Sequence, residues 1–365
     1  MLDYLFYTSV YFLLVFLIYL FHVANKNDEK KFVFLSFMLL FVFAAISYDV
    51  GWDYMPYYQN LTFDMSFDRY ERIEYLFAVF SRNINYPQFF FIINHFIIVL
   101  LMMMSIYKES KNPYLSVIAF LCFPLFYLGG LSVIRFSAAL SIVIFGYVYF
   151  MKEGKVVLFL VTIGIAYLFH AAILAAALLI PLHYLKVSRT LNVIALVVSF
   201  VLSQVFMSWF SSYEGLSVFG NEYDRLSWYM GSGDVGGQSK LHYFFLMLNI
   251  FNLIEYHKLK DIDENNVKYI TFFNVGCCLA FLFSSNTVFM SRFSKVYYFF
   301  IIFLIPYYYR LFPKYSQRVV NRMIVFMAIL LFAIQLALPN YNGMEPGRTS
   351  TYWPYRVYFM QHLNF

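Results

Sequence analysis

The chain has 365 residues, of which 62% are hydrophobic, 23% aromatic and 13% charged, with a formal net charge of +6 and a mean hydropathy of +0.66. A soluble domain is about 45–50% apolar and about 25% charged, so this balance excludes a soluble globular protein and points to an integral membrane protein. The three cysteines, Cys122, Cys277 and Cys278, lie within apolar runs and suggest neither disulfides nor a metal site.

Twelve apolar runs are long enough, or nearly so, to cross a bilayer. They fall near 4–24, 32–47, 88–107, 113–128, 132–151, 156–170, 171–186, 190–209, 241–257, 268–285, 294–311 and 319–338. The first follows Asp3 and precedes no small-residue cleavage site, so it reads as a span rather than a signal peptide. Several runs fall short of the roughly 20 residues a span needs, which predicts tilting, local thinning or broken helices. The expectation is an all-α, polytopic membrane protein with about twelve transmembrane helices in a single domain, 1–365.

Between the second and third runs lies the stretch that stands out most, the first outer loop, 48–87. It opens Tyr48-Asp49-Val50-Gly51-Trp52-Asp53-Tyr54-Met55-Pro56-Tyr57-Tyr58 and carries Asp64, Asp68, Arg69, Glu71, Arg72 and Glu74. Carboxylates, guanidiniums and aromatic rings crowded beside hydrocarbon suit a binding site. A solvated loop with an interfacial aromatic belt is the plainer alternative. Arg72 to Asn85 is half apolar and too charged to span, which predicts an interfacial or re-entrant helix, with Pro87 parting it from the third span.

Orientation follows from the cations. Sixteen of the 26 lysines and arginines fall in one set of loops, 12 of them lysine; the other set holds ten, 8 of them arginine. The positive-inside rule makes the first set cytoplasmic, so both termini and the opening loop lie outside. Arginine is the residue suited to bidentate capture of phosphate or carboxylate, so the outer bias toward arginine hints at an anion. Arg135 heads an apolar helix after Gly129-Gly130-Leu131-Ser132, Arg292 follows Ser284-Ser285-Asn286, and Arg82 closes the interfacial helix. Cations beside hydrocarbon need a partner or a ligand; snorkelling and pairing with Asp53 or Asp224 are the bland options.

His170, after Phe169 at the outer end of the sixth run, is level with the opening loop and Arg135. A neutral histidine there suits proton transfer from a sugar hydroxyl, or a hydrogen bond at a helix turn. His95, beside Asn94 in the third run, reads as an interhelical hydrogen-bonder. The second outer loop, 211–240, combines Tyr223, Asp224, Arg225, Trp228 and Tyr229 with the run Gly231-Ser232-Gly233-Asp234-Val235-Gly236-Gly237. No phosphate-loop lysine follows these glycines, so a gating or carbohydrate-contacting loop is expected instead of a nucleotide site. The outer tail, 339–365, repeats the arginine and aromatic flavour in Arg348, Tyr352, Trp353, Tyr355 and Arg356.

Gly51-Trp52-Asp53-Tyr54 with Tyr57 resembles the glycine-x-aspartate-aromatic plus tyrosine signature of EpsG-type exopolysaccharide proteins, which are similar to the Wzy-type polymerases of O-antigen, capsule and other surface polysaccharides. Arg135 before small residues, Phe169-His170-Ala171-Ala172, and Arg292-Phe293 before Tyr297 and Tyr298 match in order over roughly residues 45–300. Trp52 departs from the small residue of many members, which leaves the sugar open. The architecture implied resembles the GT-C-type membrane glycosyltransferases.

The resemblance implies a glycosyltransferase of the bacterial cytoplasmic (inner) membrane, which polymerises a surface polysaccharide on the outer face. It would move a growing glycan from undecaprenyl pyrophosphate to a hydroxyl of a lipid-linked repeat unit. Arg135 and Arg292, assisted by Arg72 or Arg82, are expected to converge on the pyrophosphate. Asp53 and His170 are the catalytic candidates, Asp53 as base or as orienter of an arginine and His170 on the acceptor side. Tyr57, Tyr223, Trp228 and Tyr229 are the expected glycan contacts. No metal, nucleotide or other cofactor and no nucleic acid is expected. Partners would be undecaprenyl-pyrophosphate-linked oligosaccharides, the lipid bilayer, a chain-length regulator and a flippase. The rival readings are a lipid-linked oligosaccharide flippase, which should show repeat symmetry and midplane charges, and a ligase that shares the chemistry.

Overall fold

The computed structural model describes residues 2–63, 67, 70–212, 240–284, 287–337, 348 and 350–360. Nearly all of them are helical, and the one sheet among them is a two-stranded pairing, so the fold is all-α. The chain forms two compact units: residues 1–177 with 312–365, and residues 178–311.

The first unit begins with α1 (Leu2–Ala24) and α2 (Glu29–Ala45), where the Asp28 side chain caps α2 by accepting from the Lys31 N–H at 2.9 Å. Strand β1 (Ser47–Tyr48) leads into the opening loop, followed by α3 (Tyr54–Thr62) and α4 (Arg72–Asn83). Then come α5 (Gln88–Glu109), α6 (Pro113–Cys122), the short α7 (Tyr127–Ser132), α8 (Ile134–Tyr149) and α9 (Val156–Tyr167). Helix α5 is the unit's centre: it packs against α8 and α2, and Phe90, Phe91, Ile98, Val99, Met102 and Ile106 are buried. Small residues let α8 and α9 approach closely; a Cβ on Gly146 would stand 2.5 Å from Thr162 Cγ2.

A 3₁₀ segment (Ala171–Leu178) leads on to the second unit's helices. They are α10 (Leu179–Tyr184), α11 (Arg189–Ser212), α12 (Lys240–Ile254), α13 (Tyr256–Ile262), α14 (Asn265–Leu282), α15 (Thr287–Tyr298) and α16 (Ile301–Tyr308). Helix α14 packs against α15, α11 and α12. Buried amides hold these helices together: Asn249 donates to Asn274 at 2.7 Å, and Asn274 donates to the Asn192 carbonyl at 3.0 Å. The chain then returns to the first unit as α17 (Gln317–Ala337) and the strand β2 (Arg356–Val357).

Three helical stretches are long and apolar enough to cross a membrane by length and composition: Gln88–Glu109, Ile134–Glu153 and Gln317–Ala337, and seven shorter apolar helices accompany them among the described residues. The shortness has local causes. Pro124 disfavours helix at Phe123, and Leu125 takes a φ of +71°, so the run 113–128 breaks into α6 and α7. The run 294–311 is interrupted at Phe299 and Phe300, and the helix before the break, α15, starts ahead of the run at Thr287 and so includes Arg292. The 3₁₀ segment rises about 2.0 Å per residue, so it covers more depth than an α-helix of equal length.

Candidate active site

The opening loop is shaped by its partners more than by its own sequence. Gly51 has φ +95°, and a Cβ there would meet the Leu131 carbonyl oxygen at 2.3 Å, so only glycine fits. The Gly51 N–H donates to the Thr351 carbonyl at 2.8 Å, the Asp53 N–H to the Ser132 carbonyl at 3.3 Å, and the Trp52 N–H to the Ser132 hydroxyl at 3.3 Å. Asp49 accepts from Arg348, whose side chain is 2% exposed, and from Arg356 at 3.1 Å. Antiparallel pairing of Ser47 with Val357 and Tyr48 with Arg356 continues this junction. The C-terminal segment therefore clamps the loop against α7.

With the loop fixed, Asp53 becomes the residue before α3, and its side chain makes no capping bond to that helix. Its Oδ2 accepts from the Tyr57 hydroxyl at 3.5 Å, a long bond. The Tyr57 hydroxyl in turn accepts from Arg135 Nε at 2.9 Å. Arg135 Nη1 pairs with Glu71 Oε2 at 2.5 Å, and the other Glu71 oxygen accepts from the Ala171 N–H at 3.4 Å. The guanidinium carbon also lies 4.9 Å from the Tyr70 ring centre and 5.3 Å from that of Tyr57. The first turn of α8 thus presents Arg135 into an aromatic and carboxylate cradle built from α3 and the start of α4.

His170 borders this cradle. Its Nδ1 accepts from the Ala172 N–H at 3.2 Å, and its ring meets Phe136 edge-on, with centres 5.4 Å apart. An accepting Nδ1 puts the neutral ring's proton on Nε2. Two residues before it, the Leu168 carbonyl accepts from the Ile73 N–H at 3.1 Å, which ties this corner to α4.

The other candidate residues are distributed unevenly. Arg82 donates to the Asn60 carbonyl at 2.6 Å and lies over the Phe67 ring at 3.9 Å, so it pins α4 to the segment of α3. Arg72 is exposed at the first turn of α4. Arg292 belongs to the second unit, on α15. Tyr223, Trp228 and Tyr229 lie outside the described residues, as does nearly all of the loop 211–240 and much of the tail 339–365.

Sequence reasoning did not single out Glu71, Glu74 and Asn94 as site residues. Glu74 is fully buried; its Oε2 accepts from Asn94 Nδ2 at 3.1 Å, and its Oε1 has no partner among the described residues. Burial pushes its carboxyl from 4.5 up to about 8, against the opposing pull of Arg135 and the bond from Asn94. Tyr70 is likewise pushed up to about 12, chiefly by burial. The available signal was the three-residue spacing of Glu71 and Glu74, which puts both on one face at a helix start beside an apolar run.

No curated protein and no solved structure matches the chain. The EpsG family matches residues 30–357, a range that holds the opening loop, Arg135, His170, Arg292 and the clamping segment up to β2. With nearly its whole length matched, the chain belongs to the EpsG family.

Proposed function

We propose that this protein is a glycosyltransferase that polymerises a bacterial surface polysaccharide at the outer face of the cytoplasmic membrane. Family membership supports a polysaccharide-polymerase type of role, and the apolar helices support a membrane location. The observation that carries the chemistry is the Arg135 cradle. A guanidinium fork held by Tyr57 and Glu71 already faces a carboxylate, whose paired oxygens resemble those of a phosphate.

In the proposed reaction the growing glycan sits on undecaprenyl pyrophosphate. The bond from its anomeric carbon to the pyrophosphate oxygen breaks, and the electron pair leaves with the pyrophosphate. A hydroxyl of a lipid-linked repeat unit forms the new bond to that carbon and gives up its proton. Arg135 stabilises the charge that grows on the leaving group, and its cradle spends no reorganisation at that moment. Asp53 takes the acceptor's proton, or orients Arg135 through the Tyr57 hydroxyl that joins them. His170 lines the acceptor side, and Tyr57 contacts the glycan. Arg72 and Arg82 assist from α4; Arg292 lies in the second unit, and Arg292→Lys tests whether chain extension needs it.

Purified protein given a lipid-linked repeat unit separates these roles. Asp53→Asn should lose at least about 100-fold in chain extension if the carboxylate is base or orienter. Extension by Asp53→Asn at the normal rate, with loss in His170→Ala instead, would move the base to His170. Transfer of the unit across a bilayer without extension would favour a flippase.

A further inference from the structure

The buried carboxyl of Glu74 has no part in the reaction just described, yet it sits behind the arginine cradle. Glu71 is the residue before α4 and Glu74 is three positions on, in the helix's first turn. A glutamate at that place ordinarily reaches back to cap the helix. Here no side chain caps α4; Glu74 turns inward to Asn94 on α5, and its Oε1 and the Asn94 Oδ1 are both buried without a partner among the described residues. Asn94 Nδ2 also donates to the Phe90 carbonyl at 3.0 Å, so its two hydrogens are taken. No donor among the described residues meets the Glu74 Oε1, and a proton on the carboxyl avoids burying it charged. The charged groups that act on Glu74 are Arg135 from α8 and Glu71 from its own helix, with the Tyr70 hydroxyl as the nearby titratable neighbour and Asn94 as the neutral partner from α5.

Charge counting gives this proton a consequence. Arg135 and Glu71 compensate each other, so with the Asp53 carboxylate unchanged the cradle carries one negative charge fewer when Glu74 is neutral. Ionised, Glu74 adds a further carboxylate around one guanidinium, and the cradle attracts an incoming anion less. The first turn of a helix would favour the charged form, but burial, the largest influence on this carboxyl, favours the neutral one.

We propose that Glu74 is a proton-carrying positioning residue which keeps the Arg135 cradle open to a pyrophosphate by staying neutral, and which takes up a proton when the anion arrives. The proposal rests on the reading of Arg135 as the pyrophosphate clamp. It places no demand on the nature of the sugar or on the identity of the catalytic base.

The test is calorimetric binding of two probes to the full-length protein in zwitterionic lipid nanodiscs, across the range from about pH 6.5 to about pH 9.5. Each titration is run in two buffers of different ionisation heat, which counts protons taken up. Sulfate keeps a fixed charge over this range, so its binding to the wild type needs no variant. Its affinity should hold below pH 8 and then fall, approaching about tenfold per pH unit, with uptake of up to one proton. Inorganic pyrophosphate titrates itself, but equally for both proteins, so the readout is the difference between wild type and Glu74→Gln. That variant should bind pyrophosphate better at alkaline pH and without the extra proton. Sulfate affinity that is flat with pH, or proton uptake that survives Glu74→Gln, would overturn the role of Glu74 while leaving the clamp intact. Failure of both probes to bind the wild type at any pH, or binding untouched by Arg135→Lys, would overturn the clamp itself and this proposal with it.

Discussion

Two of the bonds that hold Arg135 differ in character, and they predict different failures. The Tyr57 hydroxyl is a neutral acceptor at 2.9 Å, whereas Glu71 supplies a charge at 2.5 Å. Tyr57→Phe removes one acceptor and keeps the ring, so the fork should loosen and activity fall about tenfold with folding unharmed. Glu71→Gln keeps the shape but leaves a guanidinium without its counter-charge, a loss of several kcal/mol where the pair is largely desolvated. A thermal melt separates the two variants: Glu71→Gln should melt clearly lower, Tyr57→Phe close to wild type. Glu74 predicts a pH dependence of stability whose sign is opposite to that of most carboxylates. Its folded value lies above the ordinary one, so the folded state binds a proton that the unfolded state has lost. Stability from this group is full below 4.5 and declines as pH rises toward about 8. Melting temperatures of Glu74→Gln should therefore lack that decline; a decline of equal size in both proteins would contradict the assignment.

At the scale of elements, the opening loop depends on a segment some 300 positions further along the chain. Arg348 is buried against Asp49 and also donates to the carbonyls of Asp49, Ser350 and Thr351. Asp49→Ala leaves that guanidinium without a counter-charge, at a cost of about 3–5 kcal/mol. Hydrogen exchange should then quicken at Gly51, whose N–H is bonded to Thr351. Gly51→Ala meets both a backbone clash with Leu131 and a left-handed φ, so it should cost well over about 1 kcal/mol and reduce the yield of folded protein. Some helices were readable: the helix expected at Arg72 to Asn85 is α4, Arg72–Asn83, because apolar positions recur at helical spacing, and Asn85 at φ +52° closes it before Pro87. The break at Phe299 and Phe300 was not readable, since no proline or glycine marks it. Nor was the clamp, because a long-range pairing of Asp49 with Arg348 leaves no local periodicity.

For the molecule as a whole, apolar composition and helical periodicity carried the fold class, and the ordered motifs carried the family. The site was legible only in part. Motif residues Asp53, Tyr57, Arg135 and His170 gather in the first unit, but their partners Glu71 and Glu74, read as part of the charged stretch and given no individual role, take one only once α4 turns them inward. The bias of lysine and arginine between loops predicts both termini outside, so a thiol-reactive, membrane-impermeant label should reach a cysteine introduced near either end in intact cells, and protection of both ends would reverse the topology. The central claim is that Arg135 stabilises a pyrophosphate leaving group during chain extension. Its most direct test is the initial rate at which purified protein lengthens an undecaprenyl-pyrophosphate-linked glycan, wild type against Arg135→Lys. The account predicts a ladder of products from the wild type without any nucleotide sugar, and a rate about 100- to 1,000-fold lower in the variant, because a point charge does not reproduce the fork. An Arg135→Lys protein that extends the glycan at the wild-type rate would contradict it.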